Sequence, residues 1–137
     1  MENTKKLLIG GSALNDLGSP RRTQDTDYLV SIEGADLFIK HDGVDYVNAA
    51  AHPLYKALWE LESYNIGPLA SPQTLLISKA FAFINHCKNG FWQKADDAEY
   101  DIKYLVRHCG VRDISLLQDH VDSGAYKEVQ KIIESVK

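Results

Sequence analysis

Residues 7–30 read Leu7-Leu8-Ile9-Gly10-Gly11-Ser12-Ala13-Leu14-Asn15-Asp16-Leu17-Gly18-Ser19-Pro20-Arg21-Arg22-Thr23-Gln24-Asp25-Thr26-Asp27-Tyr28-Leu29-Val30. Leu7, Leu8 and Ile9 form the apolar run of a buried strand over about residues 5–9. Gly10 and Gly11 let the backbone turn tightly and leave room for a ligand. Ser12 is expected to cap a short helix that runs to about Leu17 and stops at Gly18. The loop from Ser19 to Thr23 is basic and irregular, and a second strand is expected from about Thr26 to Ile32. Asp25 and Asp27 stand two residues apart, so strand periodicity turns both carboxylates to one face. Two acids on one face opposite a glycine turn suit Mg²⁺ and a triphosphate. On their own, the same acids would read as solvated strand-edge residues and the glycines as a tight strand-to-helix turn.

Beyond this stretch, Glu33-Gly34 marks a turn and residues 36–49 read as a hairpin. Asp36 to His41 forms one arm, Asp42-Gly43 the turn and Val44 to Ala49 the return. Alternation sends Asp45 and Val47 to one face of the return strand, and Val44, Tyr46 and Asn48 to the other. Pro53 suits the first turn of a helix to about Glu62, with Leu54, Leu58 and Leu61 on its apolar face. Residues 63–71 form a loop and the expected hinge. Ser71 and Pro72 then cap and begin a helix reaching about Cys87. That helix is apolar nearly all round, so it is expected to be buried on several sides. Lys79 inside it must snorkel to water or meet an anion. A further helix is expected over 94–108, with Ala95, Ala98, Ile102 and Leu105 on one face and Gly110 closing it. Asp113 and Ser123 are expected to cap two last helices, about 114–121 and 124–136. The fold class is therefore α+β: a small mixed β-sheet flanked by helices, with a helical C-terminal half. A single domain over 1–137 is expected, its sheet half about 1–62 and its helical half about 72–137.

The 137 residues are 45% hydrophobic and 25% charged, the balance of an ordinary globular chain. A formal net charge of −4 argues against a dedicated nucleic-acid coat and leaves room for a local basic cleft. No apolar run reaches a membrane span, and Lys5 and Lys6 are followed by no signal-peptide core, so no membrane association is expected. Two cysteines, Cys87 and Cys109, are too few for a disulfide framework and fit a reduced, cytoplasmic setting. The histidines show no metal-ligand spacing, and neither a Gly-X-Ser-X-Gly elbow nor a complete P-loop is present.

Gly10-Gly11-Ser12, twelve residues, and then Asp25-Thr26-Asp27 before apolar Tyr28-Leu29-Val30 resembles the motif of the nucleotidyltransferase superfamily, the DNA polymerase β-like fold. The form with Arg22-Thr23-Gln24 is most similar to the AbiEii-like branch, the nucleotidyltransferase toxins of abortive-infection systems, and to related minimal nucleotidyltransferases. The resemblance implies a Mg²⁺-dependent enzyme with two ions and an NTP such as ATP as substrate. It implies Asp25 and Asp27 as metal ligands, with Asp45 in Val44-Asp45-Tyr46-Val47 as the third, catalytic acid. Asp45 can equally be read as a surface residue beside a hairpin. Gly10, Gly11 and Ser12 would donate to phosphates at the helix start, and Arg22 and Lys79 would carry the triphosphate charge. Arg21, Thr23, Lys94 and Asp101 are the weaker candidates; Lys79, Lys94 and Asp101 answer to the branch's late lysine and lysine/aspartate motifs, which more often show a tighter Lys-Asp-X-X-Asp. Arg21 and Arg22 also read as a solvated face, and Asp101 as a residue pairing with a nearby base. The acceptor is open: an RNA end, especially of tRNA, a protein hydroxyl or a small molecule. A homodimer and an antitoxin-like partner protein are both compatible with the branch. A non-catalytic module that senses nucleotide or grips a protein is the alternative.

Overall fold

The computed structural model describes residues 6–23, 26–31 and 43–136. The chain divides into two compact units, Met1–Thr74 and Leu75–Lys137. In the first, strand β1 (Lys6–Ile9) runs straight into helix α1 (Gly10–Asp16). Strands β2 (Thr26–Val30) and β3 (Val44–Asn48) follow, then a 3₁₀ turn (Ala49–Ala51) and helix α2 (Pro53–Leu61). The strand order is β1-β2-β3. β1 and β2 are antiparallel, with Ile9 opposite Asp27, while β2 and β3 are parallel, with Asp27 opposite Asp45. The sheet is mixed, and the class is α+β as the sequence predicts. The expected Glu33-Gly34 turn, the strand over Asp36–His41 and Asp42 lie outside the described residues, as does Asp25.

Residues opposite one another across a ladder share a face. Leu7, Ile9 and Leu29 lie on the same face as Asp27 and Asp45, and all three are buried. On the other face the rings of Tyr28 and Tyr46 stack with centroids 5.8 Å apart, and Lys6 Nζ stands 4.4 Å above Tyr28. Helix α1 packs on β1 and β2, and α2 packs on β2. The outer edge of β1 is also paired: Leu8 N–H donates to the Pro68 carbonyl, and Ala70 N–H donates to the Leu8 carbonyl.

In this unit two details differ from the sequence reading. α1 begins at Gly10, so Ser12 lies inside the first turn and not at the cap; extended Ile9 holds the cap position without a side-chain bond. A glycine with φ +73° permits this abrupt start, which a side chain would resist. Gly18, at φ +105°, ends the helix as expected. In α2, Pro53 opens the helix and His52 Nδ1 accepts from Leu54 N–H. Leu54 and Leu58 are buried, whereas Leu61 in the last turn is 43% exposed, so the apolar stripe is one turn shorter than its periodicity suggests.

Helix α3 (Pro72–Lys88) is capped by Ser71, whose Oγ accepts from Thr74 N–H. Ser71 is itself held by a buried acid: its N–H and Oγ–H both donate to Glu62 Oε2, at 2.9 and 2.7 Å, and Asn65 Nδ2 donates to Glu62 Oε1. Burial pushes the Glu62 carboxyl up, but hydrogen bonds from Thr74, Asn65 and Ser71 outweigh it and hold the group below its ordinary value. A carboxyl lowered on folding contributes stability above its unfolded pKa and loses it as pH falls through the folded one. Glu62→Gln is therefore expected to lower stability at neutral pH by about 1–3 kcal/mol. It should also flatten the acid limb of a stability–pH profile measured by urea melts. An unchanged acid limb would show that Glu62 contributes nothing there.

In the second unit Leu75, Leu76 and Ile77 are buried in succession, as expected of a helix apolar nearly all round, while Phe81, Ala82 and Phe83 are half-buried. Helix α4 (Trp92–Tyr104) buries Ala95, Ala98, Asp101 and Ile102 and continues as a π turn over Leu105–Cys109. Gly110, at φ +71°, closes it. A 3₁₀ segment (Ser115–His120) takes the place of the expected α-helix; Asp113 accepts from Ser115 N–H. Helix α5 (Ser123–Glu134) is capped by Asp122, which accepts from Ala125 N–H at 2.8 Å; Ser123 is its first residue and not its cap. Arg112 donates to the carbonyls of Ile133 and Val136 and so ties down the helix end. Among the described residues no helix is long and apolar enough to cross a membrane.

Candidate functional site

The β1–α1 turn meets the start of β2. Gly10 stands so close to Asp27 that a Cβ on it would lie 2.8 Å from Asp27 Oδ2. Because Ile9 opposes Asp27 across the antiparallel pair, the residue after Ile9 necessarily passes beside that carboxylate. Asp45 opposes Asp27 on the other side and projects to the same face. The sheet thus brings Gly10, Asp27 and Asp45 together at one end of its buried face.

Gly11 is confined by the basic loop. A Cβ there would collide with Thr23 Cγ2 and lie 3.1 Å from Arg21 Nη2. Ser12 Oγ is 3.4 Å from both Thr23 Oγ1 and Thr26 Oγ1, so three hydroxyls converge beside the turn. Arg21 is half-buried over Gly11, while Arg22 is exposed.

Two residues that sequence reasoning missed adjoin this site. Asn15, in the last turn of α1, bonds to Ser19, Arg21 and Thr23. Tyr55, on α2, has its hydroxyl raised above the ordinary value by burial and by the negative charge of Asp27, so it stays protonated. An asparagine near a helix end before a basic loop is the only signal for the first. Tyr55 carries none, because its approach to Asp27 comes from tertiary packing.

The late candidates lie in the second unit. Lys79 Nζ is 2.8 Å from Asp101 Oδ2, with the lysine side chain 15% exposed and the aspartate 1%. Lys94 Nζ lies 5.4 Å from the centroid of Phe91. His86 is lowered by burial and by the charges of Lys94 and Lys79. A 510 Å³ cavity in this unit is lined by Phe83, Ile84, Cys87 and Ile132, and charged residues there pair with one another, as in Lys131 with Glu128. Burial pushes both cysteine thiols up, which disfavours the reactive thiolate.

The chemistry of the first cluster is that of hard oxygen donors. Asp27 and Asp45 stand opposite one another on one face, and Gly10 approaches Asp27 Oδ2 closely because it has no Cβ; carboxylate oxygens are the donor type that Mg²⁺ takes. Among the described residues no group of three or more His, Cys, Asp or Glu side chains is placed to hold a metal ion; Asp25 is not among them. No family model, curated protein or solved structure matches the chain.

Proposed function

We propose that the chain is a Mg²⁺-dependent nucleotidyltransferase of minimal type, moving a nucleoside monophosphate from an NTP to a hydroxyl of RNA, protein or a small molecule. The observation that carries this reading is the pairing of Asp27 with Asp45 on one face, with side-chain-free Gly10 pressed against the Asp27 carboxylate.

Asp27 and Asp45, with Asp25 from the same motif, would hold the metal. Bound Mg²⁺ supplies charge neutralisation on the triphosphate and activation of the acceptor oxygen. Asp45 accepts the proton of the acceptor hydroxyl as its oxygen bonds to the α-phosphorus; the bond to the bridging oxygen breaks and pyrophosphate leaves. Gly10 and Gly11 admit the phosphates without a side chain in the way, and Arg21 or Arg22 meets their charge. Tyr55, protonated beside Asp27, is a neutral donor at the same site. A non-catalytic, protein-gripping module is the second reading, favoured by Tyr64 and Ile66, which are 98% and 94% exposed.

The test is a thermal melt with each of the four ribonucleoside triphosphates, with and without Mg²⁺. A ligand that binds the native state raises the melting temperature by linkage. The expected result is a Mg²⁺-dependent rise with at least one of them. No rise with any would sink the reading in favour of the protein-binding module.

A further inference from the structure

We propose that Asn15 is a positioning residue whose amide clamps the basic loop so that Arg21, rather than Arg22, is the cation presented to the phosphates over Gly11. This rests on reading the Gly10-Gly11 turn as the nucleotide site. Asn15 Nδ2 donates to the carbonyls of Ser19 and Arg21, at 3.0 and 2.7 Å, and Oδ1 accepts from Thr23 Oγ1 at 3.2 Å. One planar amide thus uses both its ends on three alternate loop residues. The clamp has a backbone counterpart, since Ser19 N–H returns to the Leu14 carbonyl and Arg21 N–H donates to Ser19 Oγ.

The consequence is a fixed alternation. Arg21, whose own carbonyl is gripped, brings Nη2 over Gly11, where a Cβ would lie 3.1 Å away. Arg22, between two clamped residues, is exposed. A guanidinium held in advance gives up less freedom when it meets an anion, and its planar fork matches phosphate oxygens. Aspartate at position 15 could still accept from Thr23, but would turn an oxygen toward the Ser19 and Arg21 carbonyls and lose the clamp.

The experiment uses the full chain, its Asn15→Ala and Arg21→Ala variants and the double variant. Binding of inorganic triphosphate with Mg²⁺ is measured by calorimetry, and hydrogen exchange is followed at residues 19–23. If Asn15 acts through Arg21, Asn15→Ala weakens triphosphate binding about tenfold beside Arg21 and less than about twofold in the Arg21→Ala background. Loop amides should also exchange faster in Asn15→Ala. Equal losses in both backgrounds, or unchanged loop exchange, overturn the assignment while the nucleotide reading stands. A wild-type chain that takes up no triphosphate overturns the nucleotide reading and this assignment with it.

Discussion

Asp27→Asn is expected to abolish nucleotidyl transfer while leaving the fold of the apo protein intact. Asp27 lies opposite Asp45 in the parallel ladder, and its Oδ2 abuts Gly10. Asparagine keeps the size and shape of the side chain and removes one of two like charges on facing ladder positions, so the fold is expected to hold. Transfer should fall by about 10²-fold or more, as when a group serving only the transition state is lost. The Mg²⁺-dependent shift with nucleotide should vanish together with activity. A variant that unfolds, seen by circular dichroism, would mark Asp27 as a structural residue and remove it from the site. Asp45→Asn should behave alike, because the two acids occupy equivalent positions on neighbouring strands.

Lys79→Met is expected to give the largest loss of stability. Asp101 is buried and its carboxylate is 2.8 Å from Lys79 Nζ, so deleting the amine removes the cation that faces a buried charge. Breaking a buried pair from one side costs about 3–5 kcal/mol. The reverse change, Asp101→Asn, should cost less. The lysine is 15% exposed on a flexible stem and can swing its ammonium to water, which the 1% exposed carboxylate cannot do. Replacing both, as Lys79→Met with Asp101→Leu, should recover much of the loss. Urea unfolding of the three variants measures this order. If Lys79→Met matched wild-type stability and lost only triphosphate binding, the lysine would belong to the site and not to the core.

This pair shows where sequence reading stops. That Lys79 must snorkel to water or meet an anion is legible, because it sits in a helix that is apolar nearly all round. Its partner, 22 residues on, is chosen by how α3 and α4 pack. The same division runs through the N-terminal unit. The strand, the glycine turn, the helix stop at Gly18 and the facing of Asp45 follow from local rules of φ freedom and two-residue alternation. The register that sets Asp27 opposite Asp45 does not, since it depends on a crossover whose length fixes no pairing. Capping was read least well. Ser12 and Ser123 are good cap residues by type, but the first helix starts at Gly10 with Ile9 in the cap position, and Asp122 holds the position one residue before Ser123. Glu62 and Asn15, both satisfied by contacts across loops, leave no periodic trace.

The pairing of β1 with residues 68–70 has a consequence for how the chain is made. β1 is bonded on both sides, because Leu8 bonds outward to Pro68 and Ala70 while β1 pairs inward with β2. A nascent chain synthesised from its N-terminus holds that side of β1 open until Ala70 has emerged. Over that interval Leu7, Leu8 and Ile9 form an unpaired apolar edge of the kind that recruits strands from other molecules. A truncation ending before Pro68 would make the interval permanent, and the natural failure of such a fragment is edge-to-edge aggregation rather than simple unfolding.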